Sequence, residues 1–235
     1  MNITIWNEFY HEKVKDDVKK LFPDGIHGYI KTFLEDENTN VRLASLDDPD
    51  CGLTQEVLDD TDVLLWWGHA KHNLVPDEVA ERVKNAVLKG MGFIPLHSSH
   101  HSKPFRALMG TTGNLSWSDD SKERIWCIKP GHPICEGIPQ HFELPKEEMY
   151  GEPFDIPNPD DVLFMSWFES GYVFRSGCTF TRGRGRIFYF QPGHETNPVY
   201  HNEIVQKIIK NAVKWVAPHE KAKELTCPKV ENLEN

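Results

Sequence analysis

Histidines are concentrated at the ends of two apolar segments of this 235-residue chain, which contains twelve histidines in all. The segments are residues 62–67 and 90–96, and they are followed by His69, His72, His97, His100 and His101. A third apolar segment, residues 187–190, is followed by His194 and Glu195. Imidazole groups titrate near neutral pH, ligate divalent metals and hydrogen-bond to polyols. The pattern therefore predicts a site for metal binding, acid–base catalysis or polyol recognition.

The polar residues after position 96 have ordinary structural interpretations as well. His100 and His101 are adjacent, and neighbouring side chains on a helix point about 100° apart, so both are not expected to serve one site. At least one of them is expected on the surface. Ser98 could act as a nucleophile with His194 as its base, but an N-cap hydroxyl for the following helix is the favoured interpretation.

A pair of carboxylates in the middle of the chain offers a further candidate. Glu148 and Glu152 would lie one turn apart and share a face if their segment were helical. Such a pair usually marks a solvated acidic face. With Tyr150 between them and Trp167 soon after, the alternative is a sugar-binding wall, because aromatic faces and carboxylates suit carbohydrate rings.

The segments that carry these residues alternate between strand and helix in the first half of the chain. Hydrophobic periodicity predicts strands at residues 2–6, 41–46, 62–67 and 90–96, and helices at 13–22, 28–37, 54–58 and 76–89. This alternation is typical of βαβ units and a parallel sheet. Ligands bind at the carboxyl ends of the strands in such sheets, which is where the histidines fall.

The pattern is looser in the second half. We expect a helix at residues 105–109, strands at 124–129 and 162–167, an irregular excursion at 139–161, an antiparallel edge meander of residues 172–174, 178–181 and 187–190, and a closing helix at 202–216. Residues 1–218 are interpreted as a single domain, and residues 219–235 as a tail that packs weakly or against a neighbour.

Composition narrows the function classes. The net charge of −10 argues against a nucleic-acid partner. The chain shows no long apolar run and no signal-peptide pattern, so we expect a cytoplasmic protein with no membrane partner. Walker A and dinucleotide-binding motifs are absent, so no nucleotide cofactor is expected. The five cysteines are scattered, which predicts reduced thiols rather than disulfides or a zinc ribbon.

Several motifs together resemble the ThuA-like, trehalose-utilisation proteins. They lie at residues 66–72, 90–103, 108–111, 147–152, 166–168 and 188–195. The resemblance runs from about Ile3 to Pro218. It implies the fold of the class I glutamine amidotransferases, an α/β fold with a flavodoxin-like, doubly wound, mostly parallel sheet and helices on both faces.

The resemblance also implies what has been lost. A class I amidotransferase carries a nucleophilic cysteine at the corner after the strand equivalent to residues 90–96, and a late strand that ends in His-Pro-Glu. Here the corner reads Leu96-His97-Ser98-Ser99, and Gln191 and Gly193 stand at the His and Glu positions. Glutamine hydrolysis is therefore not expected.

The resemblance implies a role in trehalose or disaccharide utilisation, with a sugar or 3-keto sugar as the small-molecule partner. We expect an enzyme that works by isomerisation or hydrolysis with acid–base chemistry. The candidate catalytic residues are His97, His194 and Glu148. The candidate substrate-binding residues are His69, His72, Ser98, Glu152 and Trp167. A divalent metal, zinc or manganese, would be held by His69, His97 and His194.

Two other classes of function stay open. One is a non-catalytic carbohydrate- or metabolite-binding protein on an amidotransferase scaffold, and the other is a structural subunit with a vestigial pocket. The abundance of titratable residues favours the enzyme. Aromatic residues in the meander favour a homo-oligomer.

Overall fold

The computed structural model describes residues 1–234 and contains a nine-stranded sheet. Its strands are β1 Asn2–Asn7, β2 Asn40–Ser45, β3 Val63–Trp67, β4 Gly92–Leu96, β5 Ser116–Cys127, β6 His141–Gly151, β7 Asp161–Phe168, β8 Val173–Arg182 and β9 Gly185–Phe190. The helices are α1 His11–Val14, α2 Asp16–Leu21, α3 Gly25–Leu34, α4 Gln55–Asp60, α5 Asp77–Lys89, α6 Lys103–Met109 and α7 Glu203–Val216.

The sheet has the order β2-β1-β3-β4-β9-β8-β7-β5-β6. Strands β2, β1, β3, β4 and β9 are parallel to one another, and the remaining pairs are antiparallel. The predicted α/β fold with a mixed sheet is confirmed. The antiparallel part, at four strands beyond β9, is larger than the predicted edge meander.

The central parallel strands β3 and β4 are apolar throughout because both faces of the sheet are covered there. In β3, Leu65 and Trp67 pack into the core that contains α3 and α7. Leu64 and Trp66 pack into a second core that contains α5 and α6. Alternate residues of a strand point to opposite faces, so a strand with helices on both sides needs a continuous apolar run.

Helix ends are defined by side chains that the sequence makes recognisable. Thr54, Ser102 and Asn202 cap α4, α6 and α7 by accepting backbone N–H bonds in the first turn. Gly90 ends α5 with φ +126°, a conformation that a side chain would strain. The predicted N-cap role of Ser98 is wrong, because Ser102 performs it.

The expected irregular segment at residues 139–161 is wrong over its first half, where β6 runs from His141 to Gly151. Charged side chains hide the strand pattern there. Strand β5 likewise begins at Ser116, earlier than expected, because its first residues are polar and exposed. Glu148 therefore lies on a strand, and the helical face proposed for Glu148 and Glu152 does not exist.

The first part of β5 and the last part of β6 extend beyond their neighbour as a two-stranded ribbon. Trp117 pairs with Tyr150, and Ser116 pairs with Gly151, whereas β7 pairs with β5 only from Glu123 onward. Register shifts flank Ser121 in this ladder. Bulges of this kind bend strands and re-aim side chains. We call residues 116–121 and 147–151 the β5–β6 ribbon.

The predicted tail has no regular secondary structure over residues 219–234, but its start packs on the same chain. The Lys221 Nζ donates to the carbonyl oxygens of Asp59 (2.7 Å) and Thr61 (3.1 Å). The N–H of Ala222 donates to the carbonyl of Lys89 at 2.8 Å. Over residues 1–234, none of the helices has the length and apolar character needed to cross a bilayer.

Candidate functional site

The corner after β4 places His97 in an unusual backbone conformation. Its φ is +52°, a region that costs energy for residues other than glycine. The ring Nδ1 donates to the carbonyl of Gln191 at 2.9 Å, and the His97 carbonyl accepts from the Tyr189 hydroxyl at 3.1 Å. Contacts from both sides of the loop thus hold the residue in this conformation.

The bond to Gln191 also decides which His97 nitrogen is free. Because a carbonyl can only accept, Nδ1 carries a proton, and Nε2 is the nitrogen left to face other groups. The Nε2 atom is buried 3.1 Å from Oε2 of Glu148. Within the described residues, the two atoms meet no hydrogen-bond geometry with each other or with another group. Buried polar atoms left in this way mark a place where a ligand is expected.

Four candidate residues converge at this point. His69, His97, His194 and Glu148 each offer a ligand atom, and these atoms all lie within 4.8 Å of one another. Three of them follow β3, β4 and β9, whose carboxyl ends meet at one edge of the sheet. Glu148 comes from the β5–β6 ribbon. The sequence predicted that the three histidines lie together. It did not predict that the β5–β6 ribbon brings Glu148 beside them.

Glu195 orients His69. Its Oε2 accepts from Nδ1 of His69 at 2.7 Å, which leaves Nε2 of that ring free. Burial lowers the pKa of His69, but the hydrogen bond and the charge of Glu195 outweigh it and raise this pKa above its ordinary value. Glu195 also accepts from Lys15 Nζ at 2.9 Å. His11 completes a second group of possible ligands with His69 and Glu195.

Glu8 holds the backbone that carries His69. Its buried carboxylate accepts the N–H groups of His69 (2.8 Å), Ala70 (2.9 and 3.1 Å) and Lys71 (2.9 Å). Consecutive N–H groups around one anion form a compact nest. Glu8 follows β1 directly, at the same edge of the sheet as the histidines. This position at the end of a predicted strand is the signal by which the sequence could have indicated Glu8.

Glu147 joins the ribbon to the loop after β9. It accepts the N–H groups of Glu148 (2.9 Å), Gly193 (3.2 Å) and His194 (3.1 Å), and its side chain is fully buried. Burial raises the pKa of Glu147 well above its ordinary value, with a further contribution from the neighbouring Glu123. This residue fixes Glu148 and His194 relative to each other.

The side chains of the site differ in the direction in which their pKa values are shifted. Burial raises the pKa of Glu148, but His97, His69 and His194 outweigh it and lower this pKa to about 2. Burial and the neighbouring His97 lower the pKa of His194 to about 4. Glu148 is thus a carboxylate at neutral pH, His194 is neutral, and His69 is the histidine most inclined to carry a proton.

A cavity of about 460 Å³ opens onto this cluster. His100 and His101 both line it, so the expectation that both cannot serve one site is wrong. They lie in a short 3₁₀ segment, His97–His101, with ring centroids 4.1 Å apart. His100 is buried with Nδ1 on the carbonyl of Gly113 at 2.6 Å, and His101 is half-buried.

Two further candidates lie at or beside the cavity. Ser98 lines it, and its hydroxyl lies 2.6 Å from the Tyr150 hydroxyl. The Tyr150 ring stacks on His97 with centroids 5.3 Å apart. His72 is half-buried beside the cavity, with its ring against His101, and burial lowers its pKa to about 3.

Two candidates lie elsewhere. Glu152 forms a bidentate ion pair with Arg175, with distances of 2.7 and 2.9 Å. Trp167 is 38% exposed on β7 under the guanidinium of Arg124, and neither Glu152 nor Trp167 is among the residues that line the cavity. Trp117 supplies the exposed aromatic at the cavity instead. No sequence pattern indicates Trp117, since its segment is polar and not periodic.

Comparison with known proteins agrees with this architecture. The family model for ThuA, described as trehalose utilisation, matches residues 2–216. Curated protein sequences give no match.

Solved structures share the fold at low identity. A ThuA-like protein from Parabacteroides merdae is 15% identical with a TM-score of 0.71, and the match covers 96% of this chain and 92% of that one. A ThuA-like protein from Bacteroides uniformis is 14% identical with a TM-score of 0.67, covering 94% and 93%. A cytoplasmic protein from Salmonella typhimurium is 13% identical with a TM-score of 0.61, covering 92% and 100%.

Proposed function

The chain belongs to the ThuA family, described as trehalose utilisation, and on that premise we propose that it is an enzyme acting on a sugar or 3-keto sugar. Membership supports a role in trehalose or sugar utilisation. The reaction we propose is an isomerisation or hydrolysis that runs by acid–base chemistry. It involves no nucleotide cofactor.

The observation that carries the proposal is the convergence of His69, His97, His194 and Glu148, of which His97 is fully buried and the other three line the cavity. Simple binding of a sugar needs amides, hydroxyls and aromatic faces. A cluster of titratable groups with separated proton affinities is instead suited to moving protons. Glu148, ionised at neutral pH, supplies an acceptor at its centre, 3.1 Å from the Nε2 of His97.

The residues can transfer protons beside a keto group. A carbonyl makes the neighbouring C–H bond acidic, and the Glu148 carboxylate is the acceptor for that proton. His69, whose proton is favoured by Glu195, is the donor to the carbonyl oxygen. One proton leaves carbon and another reaches oxygen, so the product of the step is an enediol and the charges balance. The hydroxyls of Ser98 and Tyr150 are placed to bind substrate hydroxyls.

The same four side chains fit a divalent cation. Three imidazoles and one carboxylate are a zinc or manganese donor set, and their spacing is close to that of ligands at about 2.0–2.2 Å from one ion. Gln191 and Glu195 bind the second nitrogens of His97 and His69, as outer partners of metal ligands do. A cation bound there would be the alternative to the His69 proton as the group that polarises a substrate carbonyl, because an Nε2 that ligates a metal has no proton to donate.

The fold supports a flavodoxin-like interpretation with a rebuilt site. The parallel strands follow the order β2-β1-β3-β4-β9, which has the 2-1-3-4-5 pattern of flavodoxin-like sheets. Glutamine hydrolysis is not part of the proposal, because His97 occupies the strained corner where a nucleophilic cysteine would be needed. Ser98, next to it, is hydrogen-bonded to Tyr150 rather than to a histidine.

The first experiment measures metal content and sugar turnover in the purified protein and in His97→Ala. His141→Ala is the matched control, since His141 is exposed at the start of β6. We expect about one equivalent of zinc or manganese in the wild type and in His141→Ala, and its loss in His97→Ala. Absence of metal from the wild type would contradict the proposal that this site binds a divalent cation. Full turnover by His97→Ala would contradict the acid–base site.

The second candidate is a non-catalytic carbohydrate-binding protein, and the exposed Trp117 at the cavity favours it. Both candidates predict sugar binding. Only the enzyme predicts that His97→Ala loses turnover while it keeps most of its affinity for ligand.

A further inference from the structure

Trp117 is an exposed aromatic residue placed at a cavity rather than in a core. Its side chain is 63% exposed, yet it lines the same cavity as His69, His194 and Glu148. Large aromatic side chains left open to water at a concave site are characteristic of ligand contact. The proposed chemistry makes no use of this residue.

The ladder of the β5–β6 ribbon directs Trp117 towards the cavity. Trp117 is directly opposite Tyr150, and opposite residues of an antiparallel pair project from the same face. Tyr150 itself stacks on His97, so the face is the one that covers the site. Leu115 and Asp119, two residues before and after Trp117, also line the cavity. Leu115 lies just before β5, and the three residues occupy alternate positions along the chain that line the cavity.

Charge distribution along the ribbon agrees with this orientation. Asp120 is not among the residues that line this cavity, and it pairs with Lys146 at 2.7 Å. Asp119 is exposed and lines the cavity. An aromatic face beside a carboxylate that accepts hydroxyl hydrogen bonds is a suitable contact for a pyranose ring.

Trp117 and Asp119 lie about the length of one sugar ring away from the cluster of histidines and Glu148. Two residues along a strand span about 6.6 Å and neighbouring strands lie about 4.8 Å apart, so the Cα of Trp117 lies roughly 8 Å from that of Glu148. A monosaccharide held at His69 and Glu148 would not need Trp117. A second ring attached to it would extend over the indole.

We propose that Trp117, with Asp119 beside it, is a stacking subsite for the second sugar ring of a disaccharide whose first ring lies at His69 and Glu148. This inference rests on the proposed function, because it names the substrate class of the same site. Trp117 is a specificity-determining residue in this arrangement and has no part in the proton transfers.

The test compares the binding of trehalose and glucose by titration calorimetry in the wild type, Trp117→Ala and Trp117→Phe. Trp167→Ala is the matched control, since Trp167 is an exposed tryptophan outside the cavity. We expect Trp117→Ala to weaken trehalose binding by about tenfold and to change glucose binding by less than about twofold. Trp117→Phe keeps most of the affinity, and Trp167→Ala matches the wild type.

Several outcomes would overturn the subsite. They are a wild type that binds glucose at least as tightly as trehalose, a wild type that binds neither sugar, and an equal loss for both sugars in Trp117→Ala. His97→Ala is assayed for turnover in parallel. Unchanged turnover in that variant would remove the proposed chemistry, while the subsite would still be judged on the Trp117 variants alone.

Discussion

The Nε2 atom of His97 lies 3.1 Å from Oε2 of Glu148, and this short separation joins the parallel strands to the β5–β6 ribbon. The histidine is presented by a strained corner, and the carboxylate by an extended strand. Neither atom meets hydrogen-bond geometry within residues 1–234, so both are available to a ligand.

Replacing Glu148 by glutamine should therefore remove a proton acceptor while keeping the shape of the site. We expect Glu148→Gln to lower kcat by about 10²–10⁴-fold, the usual contribution of general acid–base catalysis, with the thermal midpoint nearly unchanged. Steady-state kinetics and thermal unfolding measure the two effects. Glu143→Gln, an exposed glutamate on the same strand, is the control. Equal kinetics for both variants would sink the assignment of Glu148 as the base.

Glu195→Gln should alter the pH profile of the reaction. The hydrogen bond and charge of Glu195 raise the pKa of His69 against the effect of burial, so the variant lowers that pKa. If protonated His69 is the acid, activity falls as pH rises through its pKa. The alkaline limb of the kcat profile should then move to lower pH. A limb that stays in place would show that His69 is not the group it reports.

Glu8→Gln should loosen the loop that carries His69. The carboxylate accepts N–H groups from three consecutive residues, and an amide offers one acceptor oxygen instead of two. We expect a loss of about 2 kcal/mol in the free energy of unfolding, measured with denaturant. Amide hydrogen exchange at residues 69–71 should accelerate. Glu78→Gln, on the exposed face of α5, is expected to change neither quantity.

Because Glu123 is buried, we expect the free energy of unfolding to fall as pH rises. Burial raises its pKa to about 8, whereas the carboxyl of an unfolded chain ionises near ~4.3. Between these two pKa values the unfolded state releases a proton that the folded state keeps. The contribution of Glu123 to the free energy of unfolding is therefore complete below the lower pKa, and it declines as pH rises to the higher one. This decline is on the order of 5 kcal/mol.

Glu123→Gln should flatten this part of the stability curve. Denaturant unfolding of wild type and variant at pH 5, 6.5 and 8 measures the difference. We expect the variant to gain relative to the wild type as pH rises, while Glu169→Gln, an exposed control, follows the wild type. A constant difference across the range would contradict a protonated Glu123.

The parallel half of the fold could be predicted from the sequence because both faces of its strands are covered. Continuous apolar runs mark β3 and β4, and polar residues mark where each run ends. This is why His69 and His97 were placed at one edge together. The closing helix and its Asn202 cap follow from equally local signals.

The ribbon could not be predicted in the same way. Successive side chains of the ribbon face solvent and the cavity in turn. The segments that contain Trp117 and Glu148 therefore have the polar composition that is typical of solvent-exposed chain. Their roles depend on pairing between distant segments, as do the contacts of Glu8 with the loop after β3. Glu152 was misplaced for the same reason, since only the fold reveals Arg175 as its partner.

Strand β6 ends the sheet, and this position has a consequence for association between molecules. An open sheet edge invites another strand to pair with it, and proline and lysine are residues that discourage such pairing. Pro145 and Lys146 stand exposed in the middle of β6. The outer edge of the strand that supplies Glu148 is thereby guarded against strand addition, and a homo-oligomer of this protein would have to assemble through other surfaces.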